Sequence, residues 1–200
     1  MKKIISIIAV AVAMAAADPQ THDGFFLNLA LGLGFQSIDF VVDDWQSRPF
    51  GESGLSTDID VKIGGRIANN TLLHATLAGS TQSVDDAYDD DFKANMSLFG
   101  LGATYYFPNN IFITASLGIS QFHANSDNIA TFYATVSTAA DTEDVNAGFG
   151  FQVGAGKEWW VSDNWGIGAS GALLYGFAYN LGDTKESSLA ITVRITATYN

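Results

Sequence analysis

The stretch FFLNLALGLGF, residues 25–35, puts Phe25, Leu27, Leu29, Leu31, Leu33 and Phe35 on odd positions. Asn28, Ala30, Gly32 and Gly34 take the even ones. Strict alternation over this length is a β-strand with one apolar face, because successive side chains of a strand point to opposite sides. The same period returns three times. Ile59, Val61, Ile63 and Ile67 alternate with Asp58, Asp60, Lys62, Gly64 and Arg66. Ile111, Ile113, Ala115, Leu117 and Ile119 alternate with Thr114, Ser116, Gly118 and Ser120. Leu189, Ile191, Val193, Ile195, Ala197 and Tyr199 alternate with Thr192, Arg194, Thr196 and Thr198.

The second face decides where the apolar one points. It is mostly Gly, Ala, Ser and Thr with a few charges, unlike the Lys/Glu-rich surface of a soluble sheet. Small residues suit the crowded inside of a narrow barrel. No helical period appears that could cover a sheet, so the greasy face is expected to meet lipid. A sheet in lipid must pair all its backbone groups internally and therefore close on itself. The expected fold is all-β, an antiparallel up-and-down transmembrane barrel.

The turns count its strands. KIGGRIANN (62–70), GLGATYYFPNN (100–110) and GAGKEWWVSDN (154–164) each end a strand in aromatic or apolar residues and then Asn or Asp, and a new strand follows at once. Asn and Asp suit tight turns because they tolerate positive φ. Longer polar stretches are expected as loops at 36–56, 80–92, 123–146 and 177–188. Three short turns and four long loops make eight strands. Tight periplasmic turns with longer external loops are the habit of outer-membrane barrels. Aromatics fall where membrane interfaces are expected: Tyr105, Phe107, Trp159, Trp165 and Tyr199 near the short turns, Phe35, Tyr175 and Phe177 near the loops.

On this pattern, and on GLGATYYF and GKEWWVSDNWGIG, residues 24–200 resemble the small eight-stranded outer-membrane proteins of the OmpA membrane domain, OmpX/Ail and OmpW kind. The resemblance implies the cell outer membrane of a Gram-negative envelope, with lipid and lipopolysaccharide as surroundings. It implies a non-enzymatic role in envelope structure, adhesion or surface interaction, and no cofactor. The alternative it leaves open is an OmpW-like small channel for small or apolar molecules, and behind that a lipid A-modifying barrel enzyme. Relatives end on an aromatic that the barrel-assembly machinery reads; here Tyr199 stands one place before Asn200.

Residues 1–17 read as a secretory signal: Lys2 and Lys3, an apolar run from Ile4, then Ala13-Met14-Ala15-Ala16-Ala17. Residues 18–200 are then the barrel domain. The chain carries 9 basic and 21 acidic residues; without Lys2 and Lys3, seven basic residues remain and the net charge is −14. Nothing here could neutralise nucleic-acid phosphates. There is no Cys for disulfides.

Interior parity places Lys62, Arg66, His74, Glu158 and Arg194 inside, where charges must pair or cost several kcal/mol each. A hydrogen-bonded plug is the expected result, with an ion gate as the sharper reading. Lipid chemistry would need a nucleophile beside a base, and His123 lies near Ser120 and Ser126, with Glu143 and Asp144 beyond. The offset of three puts His123 and Ser126 on opposite strand faces, so no catalytic residue is assigned. DDAYDDD, with Asp85, Asp86, Asp89, Asp90 and Asp91, lacks the Gly and spacing of a calcium loop and reads as a hydrated, charge-extended external loop. No metal site is assigned to it. Asp39, Asp43, Asp44 and Glu52 in the first loop and Asp127, Asp141, Glu143 and Asp144 in the third make the whole cap acidic. Such a cap favours cationic partners or divalent ions bridging to lipopolysaccharide.

Overall fold

A computed structural model of the chain describes residues 20–22, 24–42, 50–86, 89–125, 146–179 and 184–200. The expected signal segment, 1–17, lies outside them. Eight strands run β1 (Phe25–Val42), β2 (Phe50–Ala68), β3 (Thr71–Asp86), β4 (Asp89–Tyr106), β5 (Ile111–Asn125), β6 (Asn146–Trp160), β7 (Trp165–Tyr179) and β8 (Thr184–Tyr199). Each pairs antiparallel with its sequence neighbours, and β8 pairs with β1, so the sheet closes as an up-and-down barrel.

The register fixes the shape. Following partners around the wall, Asn28 leads to Lys62, Thr76, Gly100, Gly118, Gly150, Gly176, Ser188 and back to β1 at Ile38. The circuit returns ten residues along the starting strand, which is the stagger of the barrel. With strands ~4.8 Å apart and ~3.3 Å per residue, that stagger tilts them by roughly 40° and gives a barrel about 16 Å across. A barrel this narrow can only be filled by side chains.

Parity behaves as the sequence requires. Leu31, Leu33, Leu101, Val193 and Ile195 point outward and are each about two-thirds or more exposed, whereas Lys62 and Arg194 are almost wholly buried. The outer surface is a continuous apolar belt that only hydrocarbon could cover. From Leu27 to Phe35 this belt rises roughly 20 Å along the barrel axis at the tilt given above.

Two corners of the backbone follow from residue choice. Asn70 and Asn110 sit at φ 59° and 58° in the turns joining β2 to β3 and β4 to β5, the left-handed region that Asn tolerates. Inside, Gly100 faces Gly118 across the β4–β5 ladder. A Cβ on Gly100 would lie 2.1 Å from the Leu117 carbonyl oxygen, and one on Gly118 would lie 2.1 Å from that of Phe99. Only glycine fits this close approach of the two strands.

The long loops are shorter than the sequence suggests. β1 continues to Val42, β2 begins at Phe50, β3 reaches Asp86 and β4 starts at Asp89. Residues 36–42, 50–56 and most of 80–92 therefore belong to the wall. Alternation of apolar residues ends where the greasy belt ends, but hydrogen bonding between strands needs no apolar face and carries on beyond it. Of DDAYDDD, Asp85 and Asp86 belong to β3 and Asp89, Asp90 and Asp91 to β4, while 87–88 lie outside the described residues. Asp86 pairs with Asp89 and Val84 with Phe92, with a register shift between.

Candidate functional site

The interior is the only place where the described residues bring charged side chains together from distant strands. β2 contributes Asp58, Asp60 and Lys62, which alternate and so share the inward face. Arg194, inward on β8, donates from Nη2 to Asp58 (2.8 Å) and from Nη1 to Asp60 (2.6 Å), while its Nε donates to Thr192 (3.1 Å). Lys62 pairs with the same Asp60 oxygen, Oδ2. Gln152 on β6 donates to that oxygen too, at 2.9 Å. β2 and β6 face each other across an eight-stranded circle, so this bond spans the lumen. Two carboxylates and two cations balance, and the cluster is formally neutral.

Nearer the short turns, Tyr106 (β4) donates to Glu158 (β6) at 3.0 Å, Thr198 (β8) donates to its other oxygen, and Asn28 (β1) donates to Thr198 at 2.7 Å. His74 bonds through Nδ1 to Thr76 and through Nε2 to Thr104, each at 3.0 Å. Thr104 donates to Thr114, and Thr76 meets Ser116 at 2.8 Å. Phe26, Leu72, Tyr106 and Phe112 pack together at this end. The chain entering β1 also closes over it: the His22 ring stacks on Tyr106 with centroids 3.5 Å apart, and Gln20 N–H donates to the Asp163 carbonyl at 2.7 Å.

Towards the loops, the lumen divides. Ser80 donates to Gln36 and Gln36 to Ser188, each at 2.9 Å. Beside them Ala78, Met96, Leu98, Phe122, Leu174, Ala178 and Ala190 form an apolar layer. Between the ion cluster and the Glu158 network lies a small cavity, with room for about one water molecule. The arrangement binds opposite walls together and fills the described interior with buried side chains.

Of the interior residues expected from sequence, Lys62, His74, Glu158 and Arg194 are buried in these networks. Arg66 is a correction. It is exposed, because it stands near the end of β2, beside the register shift between Arg66 and Ala68. Asp58 and Asp60, the anions that hold Lys62 and Arg194, were not singled out, although DIDVK places all three on one strand face. Gln152 gives no such signal, since its partner lies 92 residues away.

The outward aromatics form two groups. Tyr105 and Phe107 meet edge-on at 5.0 Å, and Trp165 and Tyr199 at 5.4 Å; Trp159, also exposed, lies under the Lys157 ammonium at 5.9 Å. Tyr175 packs with Phe151 at the other end of the belt. Ser120 is buried and donates to the Phe177 carbonyl. Ser126, Glu143 and Asp144 lie outside the described residues, as do Asp43, Asp44, Asp127 and Asp141.

The model of the autotransporter beta-domain family matches residues 51–197. No curated protein matches the sequence. Among solved structures, the outer membrane protein OprG of Pseudomonas aeruginosa is 11% identical, with 92% of this chain and 100% of that one covered and a TM-score of 0.48. Neisserial surface protein A is 15% identical, with coverages of 85% and 96% and a TM-score of 0.45. Ail, the attachment invasion locus protein of Yersinia pestis, is 12% identical, with coverages of 84% and 97% and a TM-score of 0.39.

Proposed function

The chain belongs to the autotransporter beta-domain family, and we propose that it is a closed, non-catalytic barrel whose task is to hold acidic hairpin ends at the cell surface. The barrel is an outer-membrane protein. The observation that carries the proposal is the filled lumen. Asp60, Lys62, Arg194 and Gln152 tie three strands together across the interior, and breaking such buried pairs to open a path would expose unpaired charge. That favours a rigid anchor over a small-molecule channel through the lumen. On this reading the short turns face the periplasm, and Trp159, Trp165, Tyr105, Phe107 and Tyr199 sit at its membrane interface with Tyr175 at the outer one.

The displayed surface is acidic. Asp85, Asp86, Asp89, Asp90 and Asp91 crowd one hairpin end, and Asp39 and Glu52 lie towards the ends of β1 and β2. A concentration of carboxylates just outside a lipopolysaccharide leaflet suits attraction of cationic surface partners, or of divalent ions shared with lipid phosphates. The role that fits is envelope structure or surface attachment, with insertion by the barrel-assembly machinery.

Surface proteolysis of intact cells, followed by membrane fractionation, tests this. Cuts should fall only at the β1–β2, β3–β4, β5–β6 and β7–β8 connections, with the barrel retained in the outer membrane. Labelling of Asn69, Asn109 or Asp163 from outside would reverse the orientation. A mass change in lipid A on expression would make the protein an enzyme.

A further inference from the structure

The cavity in the lumen lies where two hydrogen-bonded groups approach one another. Asp60, Lys62 and Arg194 of the ion cluster border it on one side, and Asn28, which is tied through Thr198 to Glu158, borders it on another. It stays open because the wall opposite is made of Gly154, Ser170 and Ala172, which are too short to fill it.

Two polar atoms of its lining are enclosed and have no hydrogen-bond partner in the protein: Asp60 Oδ1 and Thr196 Oγ1. Their residues are 0% and 3% exposed, so bulk solvent does not reach them. The other Asp60 oxygen already takes donors from Lys62, Gln152 and Arg194, and those donors do not satisfy Oδ1. Buried polar atoms almost always find a partner, and a polar space of this size is what an internal water needs. Charge argues against the commoner alternative. The four charged groups of the cluster, Asp58, Asp60, Lys62 and Arg194, already balance one another, so an ion bound among them would leave that cluster with a net charge.

We infer that this cavity is a binding site for a single neutral molecule, one ordered water, which donates to Asp60 Oδ1 and is hydrogen-bonded to the Thr196 hydroxyl. Bordered also by Asn28, the water joins the Glu158 network at the short-turn end to the ion cluster at mid-height. The polar side of the plug is then one connected column along β1, β2 and β8 rather than two separate patches.

A crystal structure of the wild-type barrel at a resolution that shows waters tests the site, using crystals grown with rubidium bromide as the salt. The expected result is a density peak within hydrogen-bond distance of Asp60 Oδ1 and Thr196 Oγ1 with no anomalous signal. An anomalous peak would make the occupant an ion, and either a dry cavity or a Thr196 hydroxyl bonded directly to Asp60 would overturn the inference. Thr196→Val keeps the shape and removes the hydroxyl. In solution, oxygen-17 relaxation dispersion should then count one fewer long-lived water in the variant than in the wild type, while Asp60 keeps its pairs with Lys62 and Arg194. An unchanged count would also overturn it. Should the variant fail to fold, the wild-type density alone decides.

Discussion

Replacing Arg194 by Met probes the energetics of the plug directly. Met keeps the apolar stem of the side chain and removes its charge. In the native barrel Arg194 reaches Asp58 at 2.8 Å and Asp60 at 2.6 Å, and both carboxylates are buried. At an effective dielectric of about 20, a pair this close attracts by roughly 4–6 kcal/mol before desolvation is counted. The variant keeps Lys62 for Asp60 but leaves Asp58 without its bonded cation, and the cluster acquires a net negative charge. Loss of one partner of a buried pair costs about 3–5 kcal/mol, and that is the destabilisation expected for Arg194→Met. The double change Asp58→Asn with Arg194→Met removes the stranded charge along with its partner. It should recover about 1.5–3 kcal/mol of the loss, as coupled neighbours do in a double-mutant cycle. Urea unfolding of the barrel in lipid vesicles, followed by tryptophan fluorescence, reads both numbers. An Arg194→Met barrel within about 0.5 kcal/mol of wild type, or a double variant as weak as the sum of the singles, would refute the reasoning.

Other consequences are smaller in scope. Leu29→Arg or Ile113→Arg puts charge on the lipid face and should cost ~2–4 kcal/mol in the same assay; no loss at either position would mean that this face does not meet hydrocarbon. Asn110 holds φ 58°, so Asn110→Val should cost about 1–2 kcal/mol while Asn110→Gly stays near neutral, a contrast that equal melting temperatures would contradict. Changing Asp85, Asp86, Asp89, Asp90 and Asp91 together to Asn should alter stability by no more than about 0.5 kcal/mol. Millimolar calcium should raise the melting temperature of both forms alike, since an ion bound only to the folded native hairpin would add stability that the Asn form lacks.

The fold was legible because a membrane barrel writes itself along each strand. Leu27 to Phe35 and Leu189 to Tyr199 show period two with the apolar face outward, and Asn70 and Asn110 stand where left-handed turns require them. The limits of the strands were not legible. Beyond Phe35 the wall runs on with Ser37 and Asp39 in place of the outward apolar residues, because pairing to β2 and β8 continues after the apolar alternation stops. DDAYDDD misled for the same reason, since composition says hydrated loop while Asp86 and Asp89 are paired strand residues. The plug was half legible. Parity puts Lys62 and Arg194 inside, and it would have put Asp58 and Asp60 beside Lys62. Which partners meet is a matter of stagger, which brings residue 194 to residue 60 across the closing seam and cannot be read from either strand. Arg66 has the right parity but the wrong height, since it stands near the end of β2 beside a register shift and is exposed there.

The most direct test of a closed lumen is conductance. The purified barrel, inserted in a planar lipid bilayer in molar potassium chloride, should give no stable current steps, and Arg194→Met should be needed before any appear. Steady, reproducible steps from the wild-type barrel would mean that Asp58, Asp60, Lys62 and Arg194 line a pathway instead of blocking one, and the account of the protein as a sealed surface anchor would be wrong.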